Sequence, residues 1–166
     1  MKKVITILMI LSIFFMFDMR TYGAETEYLS DDIVAYTEEI GEIYDIRPEF
    51  IQAIIEKESS GDPEAFSGTC IGLMQIYPKY HGDRMEKLDV TDLYDPYSNV
   101  LVGADYLAEL FDKYEDPYLV LMCYNMGEYK AVRQYESGNY TKYAVSVCDR
   151  SAELERLHDK NKDLVR

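Results

Sequence analysis

Apolar residues recur three and four positions apart along most of the chain, and no stretch alternates convincingly with the period of two expected of a half-buried strand. Ile33, Tyr36, Ile40 and Ile43 mark one face of a helix over residues 30–44, with Ser30-Asp31-Asp32 able to cap it. Pro48 suits the first turn of a second helix over 48–59, which Gly61, Asp62 and Pro63 then break. Residues 60–70 read as loop, 71–76 as a short helical turn ended near Pro78, and 79–95 as a polar, turn-rich connection. A long amphipathic helix follows over 96–114, carrying Val100, Ala104, Leu107, Leu110 and Phe111. Asp116-Pro117 starts another, through Leu119, Val120, Met122 and Cys123 to Gly127. Segments 128–135 and 141–157 complete the set, and the charged residues 159–166 are expected to fray. The fold class predicted is all-α.

The first 24 residues fall outside this helical domain. Lys2 and Lys3 precede an almost unbroken apolar run over 4–17, and Arg20-Thr21-Tyr22-Gly23-Ala24 supplies small residues for cleavage after Gly23 or Ala24. That order is a secretory signal peptide. The run is shorter than the roughly 20 apolar residues of a comfortable membrane span, although an uncleaved anchor is the rival reading. The expected organisation is therefore a signal peptide over 1–24, one domain over 25–150, and a helical extension or frayed tail over 151–166. The mature protein is expected outside the cytoplasm, not stably inserted in a membrane, and monomeric.

The 166 residues suffice for one domain with a substantial core. A formal net charge of -14 changes the picture more than any other global number. So acidic a surface repels polyphosphates, which excludes nucleic acid as a natural partner, and it is not drawn to anionic lipid or an anionic wall polymer. Recognition of such a surface must be local and geometric. Cys70, Cys123 and Cys148 allow one disulfide in three pairings, or three small buried thiols. No metal or organic cofactor is indicated: two distant histidines make no zinc pattern, and Asp89, Asp92 and Asp95 lack the glycine and closing glutamate of a calcium loop.

One carboxylate stands apart. At about 100° per residue, Glu58 lies within roughly 20° of Ile51 on the helical wheel, inside the stripe formed with Ile54 and Ile55. Glu56 points away to solvent. A glutamate on an apolar stripe at a helix end is either snorkelling or desolvated. Burial and the negative end of the helix dipole both raise its pKa, favouring the protonated acid that glycosidic cleavage requires.

The surrounding motifs favour the second reading. Glu58-Ser59 is followed by Asp62-Pro63, Ser67 and Gly72-Leu73-Met74-Gln75-Ile76. Then come Asp95-Pro96, Asn99, Gly103 and Tyr106-Leu107, and finally Tyr124-Asn125-Met126-Gly127 and Tyr143. In order and spacing this series, over about residues 51–147, resembles the soluble lytic transglycosylases, a lysozyme-like family related to goose-type lysozymes. The resemblance implies a lysozyme-like helical domain with a groove for peptidoglycan glycan strands, and Glu58 as catalytic acid and base. It implies cleavage between N-acetylmuramic acid and N-acetylglucosamine, with the muramic C6 hydroxyl closing an anhydro ring.

Other positions carry over singly. Ser67 and Gln75 match groove positions that hydrogen-bond sugar or acetamido groups, although Ser67 could equally cap a turn. Met74 would pack beneath a sugar or join the core. Tyr124 and Asn125 match a Tyr-Asn pair on the far wall, and Tyr143 a tyrosine that orients the catalytic carboxyl. Gly72 and Gly127 read as backbone requirements. Departures from the family pattern are the shortened, cysteine-bearing stretch over 67–71 and Cys123 where alanine is usual. Without tryptophan, sugar stacking falls to tyrosine or phenylalanine.

Three rivals remain. A goose-type muramidase would need a second carboxylate to hold water, for which Asp62, Glu64 and Asp83 are available. A non-catalytic wall-binding protein would not need Glu58. A cysteine peptidase would have to pair Cys70 with His81, without supporting sequence context.

Overall fold

The computed structural model describes residues 29–164, and every named element within them is an α-helix. They are α1 (Asp31–Tyr44), α2 (Pro48–Ser59), α3 (Pro78–Lys87), α4 (Pro96–Lys113), α5 (Pro117–Met126), α6 (Glu128–Glu136) and α7 (Lys142–Leu164). Four of them begin on a proline, whose missing N–H costs nothing in the first turn. Side chains cap four: Ser30 accepts from the Ile33 amide, Asp95 from Ser98, Asp116 from Tyr118 and Thr141 from Ala144.

Two helices form the centre. In α2, Phe50 through Ile55 are all buried, and in α5 so are Leu119 through Cys123. A helix apolar on every side belongs in the interior. α2 packs against α1 and α7, α5 against α4, α6 and α7, and α1 also against α4. Val100, Ala104, Leu107 and Leu110 are fully buried along α4, as their spacing predicts. Ile43 is the exception on α1, 64% exposed at the helix end.

Three segments differ from the sequence-based expectation. Residues 71–76 are not a helical turn but a tight loop closed by antiparallel bridges between Phe66 and Ile71 and between Ile71 and Ile76. The polar connection after Pro78 contains a helix, α3, with no buried residue of its own. α7 runs without a break to Leu164, past the end expected at residue 157 and through positions expected to fray. Cys70, Cys123 and Cys148 are free thiols, so the disulfide alternative is set aside. The signal-peptide reading of 1–24 lies outside the described residues.

α7 runs antiparallel to α2 and is fastened along its length. Tyr143 meets Glu58, Arg150 pairs with Glu56 at 2.6 Å, and His158 lies 2.8 Å from Glu49. Arg47, just before α2, pairs with Glu155.

Candidate active site

The last turn of α2 carries Glu58 to the floor of a cleft of about 1080 Å³. Ser59 fixes that helix end. Its hydroxyl donates to the carbonyls of Leu73 at 2.8 Å and Ile55 at 3.2 Å, and accepts from the Gly61 amide. The Glu-Ser pair thus joins the acid to the Gly-Leu-Met-Gln loop.

That loop is held from below by Asn99, a fully buried side chain on α4. Its Oδ1 accepts from the Met74 amide, and its Nδ2 donates to the carbonyls of Ile71 and Leu93, each at 2.8 Å. Gly72 sits at φ +74°, where a Cβ would come within 2.3 Å of the Asn99 amide nitrogen, so no other residue fits. A Cβ on Gly103 would strike the Met74 sulfur at 2.3 Å. The separated glycines and Asn99 therefore form one packing unit beneath the cleft floor.

The expected site residues divide by position. Glu58, Ser67, Gln75, Tyr124 and Asn125 all line the cleft. Tyr143, from α7, donates its hydroxyl to Glu58 Oε1 at 2.5 Å. The Tyr124 hydroxyl donates to the Met74 carbonyl at 2.8 Å, and Asn125 is exposed at the cleft edge. Gln75 has a structural task as well: its Nε2 donates to the carbonyls of Ala65 and Gly72, both at 3.1 Å. Met74 is not beneath an open sugar position. Its side chain is fully buried against Gly103 and supports the floor from inside.

Burial raises the Glu58 pKa, and it outweighs the opposing influences of the Tyr143 hydrogen bond and the Lys57 charge. Tyr143 and Tyr124 are pushed far above the ordinary tyrosine range, by burial first and by the Glu58 charge second. Both rings therefore stay protonated, and Glu58 is the group of this cluster whose proton is the more readily exchanged.

The opposite wall was not anticipated from the sequence. Tyr77 just before α3, Tyr80, His81 and Arg84 from α3, Tyr106 and Glu109 from α4, and Lys130 from α6 also line the cleft. A row of rings runs along it, from Tyr124 to Tyr106 at 5.4 Å and on to His81 at 4.7 Å. Arg84 lies over Tyr106 and pairs with Asp105 and Glu109, pinning α3 to α4. The available signal was Pro78 opening a segment in which His81, Met85 and Leu88 recur at helical spacing.

His81 accepts from Arg84 Nε at Nδ1, and burial with the Arg84 charge lowers its pKa, so the ring is neutral. No hydrogen bond joins it to Cys70, whose sulfur lies 3.7 Å from Thr69 Oγ1. Asp62, Glu64 and Asp83 are absent from the cleft lining, where Glu109 is the other carboxylate and is bound to Arg84 and Lys113. Among the described residues no three His, Cys, Asp or Glu side chains gather as a metal site.

Known proteins place this architecture. The chain is 36% identical over 89 residues to a transglycosylase of Enterobacteria phage PRD1, covering 53% of this chain and 32% of the phage protein. It is 35% identical over 92 residues to the membrane-bound lytic murein transglycosylase E of Buchnera aphidicola, covering 51% of this chain and 40% of that protein. To the invasion protein IagB of Salmonella typhi it is 28% identical over 132 residues, covering 74% of this chain and 79% of that one. The chain thus spans well under half the length of the first two. The fold matches an X-ray structure of an inactive mutant of the lytic transglycosylase Slt from Pseudomonas aeruginosa. That match has a TM-score of 0.66 at 20% identity, over 75% of this chain and 24% of the other. The family model for the transglycosylase SLT domain matches residues 35–146, the span that carries the glutamate, its loop and its tyrosines, and the chain belongs to that family.

Proposed function

We propose that this chain is a peptidoglycan lytic transglycosylase, with Glu58 serving first as acid and then as base. The observation that carries the proposal is a desolvated carboxyl at the cleft floor, held by one tyrosine hydroxyl at 2.5 Å. The protonated Glu58 gives its proton to the oxygen linking N-acetylmuramic acid to N-acetylglucosamine, and the bond from that oxygen to the muramic anomeric carbon breaks. The resulting carboxylate takes the proton of the muramic C6 hydroxyl as its oxygen bonds to the same carbon. The proton count closes: Glu58 ends protonated, and water is not consumed. Tethering the nucleophile to the substrate supplies the proximity that a bound water would otherwise need.

The cleft supports intramolecular closure over hydrolysis. An inverting hydrolase places a second carboxylate about 6.5–9.5 Å from the acid to activate water. Glu109, the other carboxylate of the lining, belongs to the far wall and already binds Arg84 and Lys113. Ser67, Asn125 and Gln75 are assigned to polar contacts with the strand, and Tyr143 to positioning Glu58. Export through the N-terminal segment and action on the wall as a monomer complete the reading.

Digestion of purified peptidoglycan in ¹⁸O-labelled water tests the chemistry. Anhydromuramic ends without label are expected. Reducing muramic ends carrying ¹⁸O would replace this reading with a muramidase.

A further inference from the structure

Tyr80 is 76% exposed, the most exposed large hydrophobic side chain among the described residues. Single exposed aromatics are common, but this one lines the cleft and is braced there. Its ring meets Tyr77 at 4.8 Å and 78°, an edge-to-face contact that leaves a broad ring face open to water. Tyr129, nearly as exposed, differs in lying outside the cleft lining, against Arg133.

The backbone beneath Tyr80 is held by more than the contact of partly buried Met85 with the core. α3 buries no residue, yet Arg84 and Lys87 tie it to Asp105 on α4. A short polar helix anchored through ion pairs, with its N-cap residue, presents Tyr80 and Tyr77 to the same cleft as Glu58. Tyr124, Tyr106 and His81 lie along the wall between the two ends. A cleft of about 1080 Å³ exceeds what one sugar occupies.

We propose that Tyr80, braced by Tyr77, is a stacking platform for a pyranose ring of the glycan strand, at a position remote from the bond that is cut. The platform rests on the glycan-cleaving reading and names a specificity-determining residue within it. The axial C–H bonds of a β-linked pyranose present a weakly positive face, which complements the negative face of an aromatic ring. The contact carries no net charge, which suits recognition by a protein of charge -14. It rewards strands long enough to reach from Glu58 to α3 and contributes nothing to the proton transfers.

The test is calorimetric titration of N-acetylchitohexaose, a β-1,4-linked acetamido sugar oligomer, into Glu58→Gln and the same protein carrying Tyr80→Ala or Tyr80→Phe. Alanine is expected to weaken binding about five- to tenfold, with phenylalanine within about twofold of the parent. In turnover of long glycan strands, Tyr80→Ala alone should raise KM by a similar factor while kcat moves less than about twofold. Equal affinity with alanine, equal losses from alanine and phenylalanine, or no hexamer binding by the parent would each overturn the platform. So would a fall in kcat as large as the rise in KM. The titration is read in a protein that forms no product, so it stands or falls separately from the product chemistry.

Discussion

The carboxyl of Glu58 is held between opposing influences. Burial destabilises its charged form, and the Tyr143 hydroxyl stabilises it. A group that must first give and then take a proton needs both states within reach at working pH. The sign follows directly. Tyr143 donates to the carboxylate and lowers its pKa, so removing that donor lets the protonated acid persist to higher pH. Tyr143→Phe is therefore expected to move the alkaline limb of the kcat/KM profile upward. The loss of charge stabilisation and of orientation should also reduce kcat by roughly tenfold. A pH series of initial rates on solubilised glycan checks both effects, and a limb that moves downward would reverse the assignment.

At the scale of elements, the cleft floor depends on contacts between residues distant in sequence. Asn99 bonds three backbone groups of buried loops at once, the Met74 amide, the Leu93 carbonyl and the Ile71 carbonyl, the last of which also accepts from the Ile76 amide. Asn99→Ala is expected to cost about 3 kcal/mol in urea unfolding, and to lower turnover because the loop beneath Glu58 loosens. A loss under about 1 kcal/mol would mean that the loop is held by other contacts.

The same scale explains what was legible in the sequence. α1, α2, α4 and α5 could be read because their apolar faces point into a shared core, and their prolines and capping aspartates mark the starts. Residues 71–76 looked helical because Leu73, Met74 and Ile76 are apolar at close spacing, whereas Asn99 and Ser59 settle their shape through bonds that no local pattern displays. α3 was missed because its stripe of His81, Met85 and Leu88 is short and only partly buried, and ion pairs to α4 do much of the holding. With α3 went one wall of the cleft, including Tyr80, His81 and Arg84. The burial of Glu58 was legible because a carboxylate on an apolar stripe is carried toward the interior. That of Met74 was not, since its motif position gives no sign of whether the side chain points up or down.

Across the whole molecule, α7 connects stability to the site. The helix that presents Tyr143 continues to Leu164, and its pairs with α2 set the register that brings hydroxyl to carboxylate. The carboxylates of these pairs are largely covered, Glu56 and Glu49 keeping 10% and 11% side-chain exposure, and the pairs align two helices already packed through buried Ala144, Val147 and Leu154. A surface as acidic as this one provides no long-range attraction to an anionic wall, leaving recognition to the cleft itself.

The central claim is that one buried carboxyl performs both proton transfers and that the product is an anhydro sugar. The most direct measurement is mass spectrometry of muropeptides released from purified peptidoglycan by the mature protein and by Glu58→Gln. Anhydromuramic products are expected from the first and a loss of at least about a thousandfold in the second. Undiminished release by Glu58→Gln would contradict it.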